Sequence, residues 1–490
     1  MFRKVVLDNY KSFRHIEIDL TMAGKKSLPY AFIYGENGSG KSNLIESMLF
    51  LKKTMKTIRI TNKLRNDRNT MEKADLKESI ALSLSNDLQG QLLPEMETVL
   101  NNIEENLNKL STIIDQSKIP NKTSSDIVAL AEMARTVGSD AGVEVSYYFT
   151  LKGYNGNYAM KFGSDNRLIY EKLSYVVESR IKDIFEISVS EKKDDLIHSC
   201  PIEWKFSPQL FLKKDYGKTI EDLILKYWGK HSFMSIIDEE YSANNAPYMG
   251  ESLGTGIAEV VKYFNSLILC CEFDGGKYGT GIDNMILANL DEGRVSPDKK
   301  EQLQIYEGAL NSFFTRIYSD VKKAYYKMES RNGKLFYKLF FSKMIGGKIR
   351  EIEITEESTG TIWLLNLFPA LFECACGKTV FYDELDSGIH DGLIKEIMFD
   401  LKETFKGQFV ATTHNTSLLE VMDPNSVFVI QVDSMGEKRI LPISRIERTQ
   451  KNHNNRNRYL SGVFGGNPIV GEIDFEDIVQ HAMEELGGRK

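Results

Sequence analysis

Residues 31–43, AFIYGENGSGKSN, constrain this chain more than any other stretch. An apolar run, Ala31-Phe32-Ile33-Tyr34, leads into Gly35-Glu36-Asn37-Gly38-Ser39-Gly40-Lys41-Ser42-Asn43. That is the G-x-x-x-x-G-K-S spacing of a phosphate-binding P-loop. Gly35, Gly38 and Gly40 let the backbone turn so that its N–H groups face phosphate oxygens. Lys41 brings a positive charge to the β/γ-phosphates, and the Ser42 hydroxyl can ligate Mg²⁺. The next segment, Leu44 to Phe50, reads as a helix whose N-terminus faces the phosphates. A strand, this loop and a helix in that order predict a nucleotide at the edge of an α/β layer.

Three later stretches can serve the same nucleotide. Thr379-Val380-Phe381-Tyr382-Asp383-Glu384 is an apolar strand ending in two acids, a Walker B pattern in which Asp383 supports the metal and Glu384 is a general base. Phe409-Val410-Ala411-Thr412-Thr413-His414 is a second apolar strand, and its terminal histidine can sense the γ-phosphate from the side opposite Lys41. Glu356-Glu357-Ser358-Thr359-Gly360-Thr361 precedes a helix from Ile362 to Cys374. Ser358 suits its N-cap and Gly360 opens the backbone there, which makes a second anion-binding helix terminus.

The order P-loop, S-x-G before a helix, apolar-Asp-Glu, then apolar-His resembles ATP-binding-cassette ATPases, and more closely their SMC-like branch with helical insertions in a split head. Glu357 to Thr361, Tyr382 to Ser387, Ala411 to Leu419 and the late Arg458 to Pro468 together resemble the prokaryotic AAA-15/AAA-21 ATPases. Those include ATPases of anti-phage defence: abortive-infection ATPases, the PARIS and Septu ATPases, and the heads of overcoming-lysogenization-defect nucleases. The resemblance covers residues 1–60, about 140–215 and 320–470. It implies an α/β, ABC-type P-loop ATPase head, with a mixed sheet and an antiparallel β subdomain, that uses ATP and Mg²⁺. It implies two heads closing on two ATPs, with Ser358 and Gly360 of one head capping the γ-phosphate held by the other. Asp386 matches the family's D-loop, and Asn9-Tyr10-Lys11-Ser12-Phe13 its nucleotide-touching segment after the first strand. It also implies a separate effector protein, nuclease or toxin, a phage-derived trigger, and a homodimer or higher oligomer. The chain departs from the family at Thr361, where transporter-type cassettes carry Gln, and at Ile389-His390-Asp391. Gln89 and Gln91 are the candidates for a Q-loop.

The rest of the 490 residues divides around these motifs. Residues 1–61 form the first part of the head. Residues 62–140 read as a helical, coiled-coil-like insertion. Within it Leu93, Met96, Leu100, Ile103, Leu107, Leu110 and Ile114 alternate three- and four-residue steps, suiting a bundle helix or a dimerising coil. Residues 141–215 turn to period-two aromatic patterning, with Val143 to Leu151 and Asn157 to Phe162 as antiparallel strands. Residues 216–320 read as a second helical insertion, with helical spacing over Ile257 to Leu269. Residues 321–490 complete the head.

A net charge of −7 gives no global pull toward nucleic acid or anionic membrane. One local patch, Lys438, Arg439, Arg445, Arg448, Lys451, Arg456 and Arg458, suits a phosphate backbone, an acidic partner or a solvated strap around the head. The five cysteines are odd in number and lack paired C-x-x-C spacing, and Cys374 and Cys376 read as core residues. No signal peptide is expected, and no apolar run approaches the roughly 18–20 residues of a membrane span. The expectation is a cytoplasmic protein. About 75 residues follow His414, too few for the nuclease domain of the overcoming-lysogenization-defect relatives. His453 with Arg456 and Arg458 leaves a hidden RNase open. The other readings are a repair-type ATPase that clamps DNA, and a nuclease with an unrecognised site.

Overall fold

The computed structural model describes residues 1–22, 26–63, 126–177, 180–189, 201–273, 276–448, 454–467 and 473–487. The chain starts as an antiparallel pair, β1 (Phe2–Tyr10) and β2 (Phe13–Asp19), with Leu7 opposite Ile16. From His15 to Ile18 the side chains of β2 alternate, His15 and Glu17 exposed and Ile16 and Ile18 buried. Asn9 and Lys11 sit at φ +51° and +50°, so the turn between these strands is tight and left-handed. β3 (Tyr30–Tyr34) follows, and all five of its residues are buried. Ala31 and Ile33 join the core on one face of its sheet, whereas Tyr30, Phe32 and Tyr34 join the core on the other. A strand covered on both sides reads as a continuous apolar run, which is why the P-loop strand does.

Helix α1 (Lys41–Thr54) leaves the P-loop, and Met48 and Leu51 are fully buried beneath it. Of the expected first insertion, residues 62–63 and 126–140 are described, the latter containing α2 (Ile127–Ala134). The spaced apolar positions Leu93 to Ile114 lie outside the described residues, as do Gln89 and Gln91. β4 (Glu144–Leu151), β5 (Tyr154–Phe162), β6 (Leu168–Val177), β7 (Arg180–Val189) and β8 (Ile202–Phe206) extend the first pair into a seven-stranded antiparallel sheet, β2-β1-β4-β5-β6-β7-β8.

Helices α3 (Lys214–Tyr227), α4 (Phe233–Ala243) and α5 (Thr255–Asn265) come next. Glu171 of β6 anchors the first two. Its fully buried carboxylate accepts from Tyr158 Oη (2.8 Å), Trp228 Nε1 (2.9 Å) and the backbone N–H groups of Phe233 (2.6 Å) and Met234 (3.2 Å). The helical reading of residues 216–320 holds again at 300–317 but fails between Leu267 and Val295. Ser266 closes α5, its N–H bonding to the carbonyls of Lys262 and Tyr263, and Ile268–Phe273 form a strand, β9, inside the nucleotide-binding sheet. Leu267, Ile268 and Leu269 continue the apolar spacing of the helix, but they are buried on both faces of a sheet. β10 (Gly276–Thr280), β11 (Glu292–Val295) and α6 (Lys300–Ile317) complete this stretch.

The remaining elements are β12 (Val321–Arg331), β13 (Lys334–Ile345), β14 (Lys348–Glu353), α7 (Thr359–Ala375), β15 (Thr379–Tyr382), α8 (Asp391–Leu401), β16 (Gln408–Thr412), β17 (Val427–Val432), β18 (Lys438–Pro442), α9 (Asn455–Leu460) and α10 (Phe475–Gly487). The second seven-stranded sheet runs β10-β9-β15-β16-β3-β17-β18. Its five inner strands are parallel and its two edges antiparallel. A four-stranded sheet of β11 to β14 stands beside it. The fold is thus an α/β P-loop head with a mixed sheet, an antiparallel β subdomain and helical segments. The Gln408 side chain bridges the two large sheets: its Oε1 accepts from Phe2 N at 2.6 Å, and its Nε2 donates to Phe2 O at 2.8 Å and Leu28 O at 2.9 Å. Cys374 is buried as expected, but Cys376 is exposed, because it caps the C-terminus of α7.

Candidate functional site

β15, β16 and β3 are adjacent and parallel, with Tyr382 opposite Ala411 and Thr412 opposite Ile33. Their carboxyl ends therefore place Asp383-Glu384, Thr413-His414 and the P-loop on one edge of the sheet. Gly38 and Gly40 adopt φ +81° and +102°, backbone that a side chain disfavours. A Cβ on Gly40 would also stand 2.6 Å from Phe13 Cζ. Gly35 is packed as closely, since a Cβ there would lie 2.6 Å from Ser39 Oγ.

Lys41 is buried, and its Nζ donates to Gly35 O at 2.8 Å and Glu36 O at 3.1 Å. Burial lowers its pKa, while Asp383, Glu384, Asp386 and Glu36 act in the opposite sense. Asn37 and Gly38 are exposed at the loop's apex, and Ser42 and Asn43 open α1. Asn43 Nδ2 donates to Ser12 Oγ at 2.7 Å, and Lys11 pairs with Glu46, so the β1–β2 turn is fastened to the P-loop helix.

Sequence reading missed two threonines that organise the acids. Thr412 Oγ1 donates to Asp383 Oδ1 at 2.5 Å and accepts from the Glu384 N–H at 2.8 Å. Thr413 Oγ1 donates to Asp386 Oδ1 at 2.7 Å. Asp386 also accepts from the His414 N–H at 3.1 and 3.2 Å. Glu384 itself holds φ +52°, a left-handed conformation that costs a non-glycine residue energy and occurs preferentially at functional positions. Burial and the Lys41 charge lower the His414 pKa against the pull of Asp386, Glu384 and Asp383.

Ser358 caps α7, its Oγ accepting from Thr361 N at 3.3 Å. Gly360 lies against the loop after Asp386, where a Cβ would stand 3.2 Å from Gly388 O. Among the described residues, no hydrogen bond joins Ser358 or Gly360 to the P-loop of the same chain. On the other side of the acids is a cavity of about 370 Å³, lined in part by Cys270, Cys271, Trp363, Tyr382, Asp383 and Glu384. β9, the neighbour of β15, brings Cys270 and Cys271 to this cavity. Burial pushes these two thiols up to about 12 and about 11.

The basic patch is mostly committed within the head. Lys438 Nζ donates to Gly38 O at 3.0 Å and Arg439 Nε to Gln431 Oε1 at 2.7 Å. Arg445 pairs with Asp19 at 3.4 Å, Arg456 with Glu420 at 3.1 Å and Arg458 with Glu447 at 2.8 Å. Lys451 and His453 lie outside the described residues. The segment after β18 behaves as a strap. Tyr459 packs edge-on to Tyr34 and donates to Gly466 O at 2.9 Å, and a Cβ on Gly466 would lie 3.4 Å from Gly35 Cα.

The donor set fits a nucleotide with magnesium. The Ser39 hydroxyl is buried with no partner among the described residues, and the left-handed glycines surround it. No group of three His, Cys, Asp or Glu among the described residues could hold a metal alone. A divalent ion here would share Ser42 and Asp383 with phosphate oxygens, which suits Mg²⁺. No helix among the described residues is long and apolar enough to cross a membrane.

Among solved structures, the chain is similar to an SMC head domain from Thermotoga maritima (14% identity, TM-score 0.37, 90% of this chain and 98% of that one). It is also similar to an SMC head bound to the C-winged helix domain of ScpA (15%, 0.40, 90% and 96%). A third is an Smc head with an extended coiled coil bound to the C-terminal domain of ScpA, derived from Pyrococcus furiosus (15%, 0.35, 90% and 95%). These overlaps are loose, and the fold stands on the strand order and the P-loop. No curated protein matches. An AAA-domain model named for a presumed AbiEii toxin of a type IV toxin–antitoxin system matches residues 282–420. A second AAA-domain model, AAA_23, matches residues 4–314, more than half of the chain. With its P-loop, paired acids and parallel sheet, the chain belongs to that AAA-domain family.

Proposed function

We propose that this chain binds and hydrolyses ATP, and that ATP-dependent pairing of two heads controls a separate effector in prokaryotic anti-phage defence. The convergence of Lys41, Asp383, Glu384 and His414 on one sheet edge carries the reading. The P-loop amides and Lys41 hold the β/γ-phosphates. Ser42 and Asp383 share Mg²⁺, which when bound offsets charge on the phosphates. Glu384 accepts a proton from the attacking water. His414, neutral near pH 7, hydrogen-bonds the γ-phosphate, and Asp386 fixes its backbone.

Ser358 and Gly360 act in trans. Their helix terminus makes no hydrogen bond to its own P-loop among the described residues, and a helix N-terminus is suited to phosphate. The defence role rests on the resemblance to AAA-15/AAA-21 ATPases and on the AbiEii-type match over residues 282–420. The effector would be a nuclease or toxin made by a neighbouring gene, as the same resemblance implies.

The test is to purify Glu384→Gln from its native operon with ATP and weigh the assembly by native mass spectrometry. A second protein in fixed ratio to a head dimer supports the reading. A bare dimer carrying nucleic acid moves the assignment to a DNA-handling ATPase. A wild-type chain that neither binds nor hydrolyses ATP removes both.

A further inference from the structure

Lys438 belongs to none of the nucleotide motifs, yet the fold brings it to the P-loop. Its Nζ donates to the carbonyl of Gly38 at 3.0 Å. Gly38 is exposed at the loop's apex and holds φ +81°. A glycine there has many accessible conformations, so its peptide is easily reoriented. The N–H of the same peptide, on Ser39, donates to Glu36 O at 3.2 Å. The Gly38–Ser39 peptide is therefore held at both ends, its carbonyl by Lys438 and its N–H by Glu36.

The lysine is itself held in place. Its ammonium lies 5.6 Å from the centroid of the fully buried Phe13 ring, and that ring backs onto Gly40. The preceding residue, Glu437, pairs with Arg14 Nε at 2.6 Å. Residues 437–438 thus grip both the start of β2 and the P-loop. Partial burial lowers the Lys438 pKa and Glu36 opposes that shift.

We propose that Lys438 is a positioning residue for the nucleotide: from outside the loop it fixes the Gly38–Ser39 peptide, so that the amides that follow converge on phosphate before the ligand arrives. This rests on the nucleotide reading of the P-loop. A preorganised loop costs less ordering on binding, and one lost charge-assisted hydrogen bond corresponds to about ten-fold in affinity.

The experiment titrates the full chain with mant-ADP and mant-ATP, comparing wild type, Lys438→Met and Lys438→Arg. Melting without nucleotide is measured alongside. The methionine keeps the stem and removes the donor. We expect about ten-fold weaker binding of both nucleotides for Lys438→Met, an unchanged melting midpoint, and recovery in Lys438→Arg. Unchanged affinity in Lys438→Met overturns the proposal and leaves the P-loop reading intact. Loss confined to mant-ATP overturns it too, because it means a direct γ-phosphate contact. Should Lys438→Met fail to fold, Lys438→Gln takes its place with the same expectations. A wild-type chain that binds neither nucleotide defeats the functional reading itself.

Discussion

The Thr412 hydroxyl stands between the two acids at the end of β15, donating to Asp383 Oδ1 at 2.5 Å and accepting from the Glu384 N–H at 2.8 Å. One side chain from the neighbouring strand thus orients the carboxylate proposed to support the metal and pins the backbone of the proposed base. Removing a group that orients a metal ligand typically weakens the metal ~10–100-fold. Thr412→Val should raise the Mg²⁺ concentration for half-maximal ATPase by about that factor, and Thr412→Ser should restore it. Magnesium dependence unchanged in the valine variant would show that Asp383 orients itself.

Glu384→Gln keeps the size of the side chain and removes its basicity. A general base contributes about 10²–10⁴ in rate, so turnover should fall by that much while ATP binding persists. Single-turnover phosphate release measures the first, and equilibrium titration the second. A variant that still turns over at the wild-type rate would move the base elsewhere.

His414 should titrate below the ordinary 6.5, because burial and the Lys41 charge both disfavour its protonation. The sign follows from linkage. With the folded pKa below the unfolded one, this histidine's contribution to stability is complete above about 6.5 and is lost as pH falls through the folded value. Histidine-selective NMR should show a midpoint under 6.5 that rises in Lys41→Met. A midpoint at or above 6.5 in the wild type would contradict the assigned causes.

Glu171 ties β6 to the helices beside it. Glu171→Ala leaves two backbone N–H groups, a phenol and an indole without their acceptor. Buried unpaired donors cost ~1–3 kcal/mol each, so a loss of about 3 kcal/mol or more is expected in urea unfolding. A midpoint that hardly moves would mean that water replaces the carboxylate.

Much of this site was legible because its signals are local. The glycines of the P-loop, the cap at Ser358 and the apolar runs before Asp383 and His414 each depend on a few adjacent residues. β9 was not legible, since Leu267, Ile268 and Leu269 carry the helical spacing of α5 into a strand. Only the neighbouring β15 shows that they belong to the sheet. Thr412 and Lys438 were invisible for another reason. Their partners, Asp383 and Gly38, lie far away in sequence, and a threonine at the end of an apolar run or a lysine in a basic run carries no mark of such a contact. The exposed Cys376 was misread because an apolar run does not show where its helix stops.

The place of β3 in its sheet has a consequence for how this protein is made. β3 is built near the start of the chain, yet both strands that pair with it, β16 and β17, come from residues 408–432. During translation the P-loop strand must wait, its two hydrogen-bonding edges open, until that distant segment leaves the ribosome. Such long-range pairing is slow and leaves strands exposed to aggregation in the meantime. A nascent chain cut short before residue 408 therefore has no nucleotide site to assemble, and the newborn protein's competence for ATP is decided near its last strands.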